Sequence, residues 1–357
     1  MAITHNFDTA ILALINGLVP ADTVDISQAV YTSAFEVGDI ADGHQIITGV
    51  RTGQVIPILS KAPKYDSFPY KDPTNCVIPA CDLDLGFGAK TWELGMIACK
   101  IPICINTFDE NFLLFWNQYK RVFGDADLSG ALMTYITDIF QNNLNAAIWR
   151  QVWFGDTAAT TNIYLKGNDG IFTQAEAMDG TKIVIAENAL GSGLTGEALY
   201  AYFNEAYQIA SLSPWWNPAT AQIEMTQAMA SVLVAWLNSM GDRTGINCEC
   251  FSPDGLTAQR TFSIDANLKI FGVNIHVHRE FDGIISTFAL GNPYRAILTS
   301  STNILIGTSE LDQLPAFDVW YSKDDDQIYI KGGANVGASL VTNEYVYLGA
   351  ETASPSV

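Results

Sequence analysis

The stretch from residue 128 to residue 154 reads LSGALMTYITDIFQNNLNAAIWRQVWF and places an apolar residue at every third or fourth position. This spacing is typical of a helix with one apolar face, and it persists through the whole stretch. At ~1.5 Å per residue the predicted helix is about 40 Å long, enough to serve as the backbone of the molecule. Its apolar positions are Leu132, Tyr135, Ile136, Ile139, Phe140, Leu144, Ala147, Ile148 and Val152.

Two further helices are predicted on the N-terminal side. Asn106 can cap a helix whose first turn carries Asp109 and Glu110, and this helix is expected to run to about Phe123. Apolar residues at helical spacing from Phe7 to Leu18 predict a short helix within an otherwise polar segment. Residues 1 to about 43 are therefore interpreted as an arm rather than a domain.

Residues 44 to 105 change to short β-type runs separated by turn residues. Gln45–Val50 and Gly53–Leu59 precede a segment that contains Pro63 and Pro69 and is unsuited to a central strand, and Ala89–Ile101 follows it. The pattern predicts a long excursion of paired strands with a loose tip.

The remainder alternates between helix and strand signals, so the predicted fold class is α+β. Helix is expected at Gly196–Ala210, strand and helix within Ala219–Met240, and a short helix beginning at Ser252. The further strands are expected at Ile246–Phe251, near 268–278, 284–290 and 295–299, at Phe317–Tyr321 and Gln327–Lys331 around a turn at Asp324–Asp326, and at Glu344–Leu348.

The charge balance limits the function classes. Of 357 residues, 18 are Lys or Arg and 38 are Asp or Glu, which gives a net charge of −20. That balance argues against nucleic-acid binding by the bulk surface, which draws its affinity from Lys and Arg. Charged residues make up only 16% and apolar residues 48%, which excludes a disordered chain. Such a chain either exposes many neutral polar groups or buries much of its surface against partners.

The N-terminus lacks the basic start of a signal peptide, and no apolar run reaches the ~18 residues of a membrane span. A soluble protein made in the cytosol is therefore expected, without membrane association. Six cysteines in such a chain are expected to be reduced core residues.

The best metal candidates are Cys248 with Cys250 and His276 with His278. Residues i and i+2 of a strand point to one side, so two such pairs on adjacent strands could form a tetrahedral site. The alternative, that these are core cysteines and half-exposed strand histidines, is preferred. Reduced strand cysteines are likewise preferred over ligands for the pairs Cys76 with Cys81 and Cys99 with Cys104. Asp324–Asp326 lacks the pattern of a calcium loop and is interpreted as a solvated hairpin turn.

No motif predicts catalysis. The patterns G-x-S-x-G, H-E-x-x-H and G-x-x-x-x-G-K-[ST] do not occur, and carboxylate pairs such as Asp82 and Asp84 arise by chance among 38 acidic residues. Only four histidines, including His5 and His44, are present for general-base work. We therefore predict no catalytic, cofactor-binding or metal site, no cofactor and no enzyme activity.

The order of parts and two local stretches resemble the tailed-phage major capsid proteins of Hong Kong 97 type. Gly167–Ala177, GNDGIFTQAEA, is similar to that family's segment entering the axial domain. Thr302–Thr308, TNILIGT, followed by Asp312, is similar to the family's Asn, Gly-Thr, Asp pattern late in that domain.

This resemblance implies a domain scheme for the chain. It comprises an N-terminal arm (1–43), an extended loop (44–105), a peripheral domain with the long spine helix (106–174), an axial α/β domain (175–316) and C-terminal strands returning to the peripheral domain (317–357).

The resemblance also implies a function. The chain would be a virion structural protein whose copies form hexamers and pentamers and close into an icosahedral head around double-stranded DNA, without sequence-specific DNA binding. Portal and decoration proteins and a separate scaffold would be its partners, since the arm is expected to begin at Met1, and it would be made in the host bacterial cytoplasm. Two alternatives stay open: another phage or compartment shell or tube subunit, and an acidic cytosolic enzyme.

Overall fold

The structure is a computed structural model. It describes residues 44–59, 87–123, 128–159, 162–177, 195–212, 216–240, 268–290, 294–309, 318–341 and 347–350. These residues fall into two compact units. The first unit takes its described residues from Met1–Thr52, Glu93–Gly170 and Ile306–Ala338, and the second from Gly53–Trp92, Ile171–Leu305 and Ser339–Val357.

The described strands are numbered in chain order. They are β1 (Gln45–Ile47), β2 (Val55–Leu59), β3 (Phe87–Thr91), β4 (Gly95–Cys104), β5 (Ala221–Thr226), β6 (Lys269–Ile270), β7 (Val273–His278), β8 (Arg295–Ser300), β9 (Ile304–Thr308), β10 (Asp318–Ser322), β11 (Gln327–Leu340) and β12 (Tyr347–Ala350). The described α-helices are α1 (Ile105–Phe123), α2 (Leu128–Phe154), α3 (Ile171–Ala177), α4 (Gly196–Ser211), α5 (Gln227–Met240) and α6 (Arg279–Phe288).

Helix α2 has the bounds that its apolar spacing predicts, and it organises the first unit. Six residues spaced by four are buried along it: Leu132, Ile136, Phe140, Leu144, Ile148 and Val152. Because 3.6 residues make one turn, each step of four turns the buried side by about 40°, roughly 200° over the whole series. The helix therefore packs on different sides at its two ends. Near its start Tyr135 packs against Phe112 and Phe115 of α1, at centroid distances of 5.6 and 5.1 Å.

The sheet of the first unit has the strand order β1-β9-β11-β10, and β4 also pairs with β11. β11 runs antiparallel to β10, with Asp318 opposite Lys331, and antiparallel to β4, with Gln327 opposite Cys104. The predicted turn at Asp324–Asp326 joins β10 to β11 as expected. β4 enters α1 directly, so the return run of the excursion continues into the first helix.

The sheet of the second unit has the order β12-β8-β5-β7-β6. Its centre is β5, which is parallel to β7 and antiparallel to β8, and all six residues of β5 are buried. Side chains alternate across a strand, so Ala221, Ile223 and Met225 lie on one side. These three belong to an apolar cluster that also contains buried residues of α4 and α5.

β2 and β3 form a two-stranded antiparallel ribbon, with Val55 opposite Thr91 and Leu59 opposite Phe87. Two backbone bonds close its base: Gly53 N donates to Trp92 O at 2.8 Å, and Trp92 N donates to Gln54 O at 2.9 Å. Gly53 has φ +83°, which favours glycine, and the Trp92 side chain is only 3% exposed. The excursion of paired strands is therefore confirmed at its base, and its predicted tip lies outside the described residues.

The predicted strand at 284–290 is wrong, because residues 284–288 belong to helix α6. β-branched residues such as Ile284 and Ile285 suggested a strand. Their burial together with Phe281 shows the i, i+3, i+4 spacing of a helix side. The helix stops at Ala289, which adopts φ +48°.

Several other expectations have a definite outcome. The predicted last strand Glu344–Leu348 overlaps β12 (Tyr347–Ala350), which pairs with β8, and its residues 344–346 lie outside the described residues. Strand β9 and helix α3 had no predicted counterpart. The predicted helix at 7–18, the strand at 246–251 and the helix from Ser252 lie outside the described residues. The domain boundaries stay predictions.

None of the helices within the described ranges is long and apolar enough to cross a bilayer.

Gly196 generates a prediction about the contact between α4 and α5. A Cβ added at Gly196 would overlap Cβ and Cγ of Trp236, which cannot swing away as the end of a side chain could. Gly196→Ala should therefore lower the free energy of unfolding of the unassembled subunit by about 1–3 kcal/mol, measured by chemical denaturation.

The matched control is Gly283→Ala in α6, where an added Cβ meets nothing within 4 Å. Since Ala favours a helix over Gly, this variant should gain about 0.5–1 kcal/mol. Equal effects of the two substitutions would contradict the packing argument.

Candidate functional site

The base of the β2–β3 ribbon is held by one lysine. Lys90 Nζ donates to Gln174 Oε1 of α3 at 2.6 Å and to Leu340 O at the end of β11 at 2.7 Å. Gln174 Oε1 also accepts from Leu340 N at 3.1 Å. A hydrogen bond from a charged donor is stronger than a neutral one, so this junction of Lys90, Gln174 and Leu340 anchors the base of the ribbon.

The second sheet has a buried polar side opposite its apolar cluster. Gln222, Glu224 and Thr226 alternate along β5 and are all buried. The register places Glu224 beside His276 and Thr226 beside His278 on β7. Glu224 Oε2 and His278 Nε2 are hydrogen-bonded, with the Glu224 side chain fully buried and that of His278 13% exposed. A buried carboxylate needs such a partner, so the pair ties β5 to β7.

The structure describes only the histidine half of the first predicted metal site. His276 and His278 lie on the same side of β7 as the i, i+2 spacing requires, and both are partly buried. His278 is engaged by Glu224. Cys248 and Cys250 lie outside the described residues, as do Cys76 and Cys81. The absence of a metal site stays a prediction.

Cys99 and Cys104 correct the expectation of core cysteines. Both lie on β4 as free thiols and are exposed, because most β4 side chains on either side of the strand are outside the core. Five positions apart on a strand, they point to opposite sides and cannot share a ligand. Partial burial of the thiol raises the pKa of Cys99, which lowers its thiolate fraction.

Two carboxylates of the Asp324–Asp326 turn accept hydrogen bonds from tyrosines of the same hairpin. Tyr321 Oη donates to Asp326 Oδ1 at 2.5 Å, and Tyr329 Oη donates to Asp325 Oδ2 at 2.8 Å. The bond from Tyr329 stabilises the ionised form of Asp325 and is the main cause that lowers the pKa of this carboxyl. The residues form a solvated turn, as the sequence predicts.

The two stretches that resemble the capsid family both occupy ordered structure. Gly167–Gly170 closes a loop that leads into α3, and Thr302–Thr308 covers a short 3-10 turn and β9. Asn303 Nδ2 donates to Thr299 Oγ1, and Thr308 Oγ1 donates to Asn335 O. Polar residues of the second stretch therefore have structural roles. Asp312 lies outside the described residues.

Large apolar side chains are exposed at several places. Single exposed residues are ordinary on a protein surface, whereas adjacent ones indicate contact sites. Exposed pairs close in sequence occur at Leu113 with Leu114, at Ile163 with Tyr164 and at Ile209 with Leu212. They make a surface for self-association the main functional candidate.

Sequence reasoning missed the residues of the ribbon base. Lys90 is separated from Gln174 by 84 positions and from Leu340 by 250. An isolated lysine in a β-type run carries no signal for such a contact. Trp92, a large aromatic residue directly after the strand, was the one local hint.

Comparison with known proteins identifies the fold. No protein-family model matches the chain, and no curated protein matches it. Among solved structures, a chain of the "Satellite phage P4 procapsid including size determination (Sid) protein" is 12% identical, covers 91% of this chain and 99% of its own length, and has a TM-score of 0.56. A chain of the structure described as "Gordonia phage Cozz" is 13% identical, with 88% and 86% covered and a TM-score of 0.52.

At these identities the similarity concerns the fold. The mixture of helices and strands and the similarity over nearly the full length confirm the prediction of a tailed-phage major capsid protein fold.

The Lys90 junction generates a prediction about the ribbon. Lys90→Met keeps the aliphatic stem and removes both hydrogen bonds, so local opening of the ribbon should become easier. Each hydrogen bond to the charged ammonium contributes about 1.5–3 kcal/mol, so its loss lowers the free energy of local opening. Amide hydrogen exchange at residues 87–91 of the unassembled subunit should therefore become at least about tenfold faster. The control Lys323→Met, in the exposed β10–β11 turn, should leave that exchange unchanged. Unchanged exchange in Lys90→Met would contradict the role of the junction.

The Glu224–His278 pair generates a second prediction. His278→Ala removes the imidazole from a fully buried carboxylate and should lower the free energy of unfolding by about 3 kcal/mol. Glu224→Gln keeps a hydrogen-bonding group of the same shape and should cost only about 1 kcal/mol. Urea denaturation of unassembled subunits measures both, and a larger loss in Glu224→Gln than in His278→Ala would reverse the expected order.

Proposed function

We propose that this chain is a major capsid protein, a structural subunit whose copies assemble into a phage head. The observation that carries the proposal is the match, over 91% of this chain and 99% of the other, to a chain of a phage procapsid. Capsid subunits work by making contacts with their own copies, so the functional residues are those that shape its contact surfaces.

The finer scheme is that of the Hong Kong 97 type. In it, residues 1–43 are the arm, 44–105 the extended loop, 106–174 the peripheral domain with its spine helix, 175–316 the axial domain, and 317–357 the C-terminal return. The 27-residue α2 in the position of the spine helix and the β2–β3 ribbon within the extended loop support this scheme.

The ribbon also gives a physical reason for self-association. An isolated two-stranded ribbon is marginal in water, because neither strand has a second neighbour to pair with. In the proposed shell a neighbouring subunit covers it. Hexamers and pentamers would provide such neighbours for every copy.

The charge of the chain suits a DNA container. With 18 basic and 38 acidic residues, the net charge of −20 disfavours non-specific retention of packaged double-stranded DNA on an inner wall. We further propose a scaffold, a portal and decoration proteins as partners, synthesis in the host bacterial cytoplasm, and no enzymatic role.

Electron microscopy of the purified, full-length protein tests the proposal. The expected result is closed shells or ring-shaped capsomers in negative stain. Tubes would favour the alternative of a tube subunit, and a compact monomer at all concentrations would contradict a capsid role.

A deletion tests the extended loop. Replacing residues 61–86 by a short Gly-Ser linker leaves the β2–β3 base in place, so the subunit should keep its circular dichroism spectrum and cooperative unfolding. It should fail to form closed shells, because the covering contact with a neighbour is lost. Joint loss of solubility and cooperative unfolding would instead place this segment in the core of the single subunit.

A further inference from the structure

Helix α1 has one side packed within its unit and the opposite side in solvent. On the packed side Phe112 is fully buried, its ring lies 5.6 Å from that of Tyr135 in α2, and Trp116 is buried one turn later. The opposite side presents two large apolar side chains, since Leu113 is 43% exposed and Leu114 64% exposed. The helix is therefore held by its buried side and keeps both leucines in an outward position.

The exposed side of α1 carries opposite charges at its two ends. Four exposed residues follow one another along it: Glu110, Leu114, Asn117 and Arg121. Their positions i, i+4, i+7 and i+11 fall within roughly 60° of one another around a helix of 3.6 residues per turn. At ~1.5 Å per residue Glu110 and Arg121 are about 16 Å apart along the axis, with Leu114 between them and Leu113 beside it. We call these five residues the α1 row.

Charge is separated along α1 without a net excess of either sign. Its acidic residues are Asp109 and Glu110 near the start, and its basic residues are Lys120 and Arg121 in the last turn. The Lys120 ammonium lies 4.8 Å from the centroid of the Trp116 ring. The salt bridges between described residues involve neither Glu110 nor Arg121. A second copy of a chain with net charge −20 is repelled by most of this surface, whereas α1 is neutral as a whole.

The α1 row is complementary to itself when two copies lie antiparallel. In a two-fold contact both copies use the same surface, so Glu110 of each copy faces Arg121 of the partner subunit, and both ends of the contact are paired at once. This register places Leu114 of each copy within half a turn of the two-fold axis. Parallel helices would instead bring like charges together at each end and would align the two helix dipoles unfavourably. The charges therefore select the antiparallel orientation.

From these observations we propose that the α1 row is a two-fold contact between copies of this chain, in which two α1 helices lie antiparallel with their leucines at the centre and a Glu110–Arg121 pair at each end. The proposal rests on the proposed function and adds a specific contact to it. The leucines contribute apolar burial, and the charges set orientation and partner. A partner must offer a cation and an anion about 16 Å apart on either side of an apolar centre, and the same helix of a second copy offers both. The carboxylate at one end disfavours nucleic acid as the occupant.

Charge reversal tests the contact, because each single change brings like charges together at both ends. Glu110→Arg places an arginine opposite Arg121 of the partner subunit, and Arg121→Glu places a glutamate opposite Glu110. Each variant alone should assemble at least about fivefold more slowly than the parent chain at low salt, and the deficit should shrink as salt screens the repulsion. The control variants Glu93→Arg and Lys323→Glu make the same charge changes at exposed positions of the first unit and should have smaller effects.

Mixing the two variants distinguishes this contact from any other. In an antiparallel pair of one Glu110→Arg copy and one Arg121→Glu copy, an arginine meets a glutamate at both ends. An equimolar mixture should therefore regain at least about half of the parent's assembly rate, although each variant is slow alone. A mixture of the two control variants should show no such gain.

The outcomes separate this inference from the proposed function. Single variants that assemble like the parent, or a mixture that gains nothing, would overturn the two-fold contact and leave the proposed function intact. If the parent chain forms no assemblies at all, the proposed function itself fails.

Photo-cross-linking provides a second readout that leaves the charges unchanged. The cross-linking amino acid p-benzoylphenylalanine replaces Leu114 in one variant and Lys323, in the exposed β10–β11 turn, in a control variant. Assembly of 14N-labelled with 15N-labelled copies before irradiation identifies cross-links between copies. Since the probe reacts only with groups in contact, position 114 should cross-link to residues 105–123 of another copy at a yield at least about fivefold above the control. Particles that form normally but cross-link from position 114 only to another segment or to another protein would overturn the inference.

Discussion

The ammonium group of Lys90 joins three segments that are far apart in the chain: the β2–β3 ribbon, helix α3 and the end of β11. This junction matters because a ribbon of two strands cannot stabilise itself. Two strands that pair only with each other are marginal in water, so contacts at the base of the ribbon contribute to fixing its position. Trp92, buried next to the closing backbone bonds, adds apolar burial at the same place.

The sequence predicts those parts of the fold in which a local pattern coincides with burial. Helix α2 begins and ends where its apolar spacing does, since every apolar position predicted for its face is buried or half-buried. Helix α6 shows the limit of this reasoning, because Ile284 and Ile285 satisfy both a strand run and a helix side. The deciding contribution comes from Phe281, which packs edge-on against Phe172 more than a hundred residues earlier.

The polar contacts that hold the ribbon and the loop after α2 are harder to predict from the sequence than the fold. Lys90 bonds to the distant side chain of Gln174, and the side chain of Gln151 bonds to the backbone carbonyl of Asn168. Such bonds leave no periodic pattern in a single sequence. Apolar burial restricts the residue type weakly, at many positions and with a regular spacing. A hydrogen bond from one polar side chain restricts the residue type strongly, but at a single position. This difference also explains how the fold can match a procapsid chain at 12% identity: the apolar pattern can be kept while individual residues change.

Two parts of the subunit leave apolar side chains exposed: the ribbon and the Ile163–Tyr164 pair. Hydrogen bonds within a single unit hold both of them in place. The base of the ribbon is bonded by Lys90 within the second unit, and the loop that carries the pair is bonded by Gln151 within the first. A flexible element could find a partner only by giving up conformational entropy at the moment of contact, which would weaken every contact in a shell. In the proposed shell, an element fixed in advance would lose that entropy when the subunit folds, so each contact between copies would keep more of its favourable free energy. The contacts of such a shell could then be individually small, so that misplaced copies dissociate, while the number of contacts would stabilise the closed assembly.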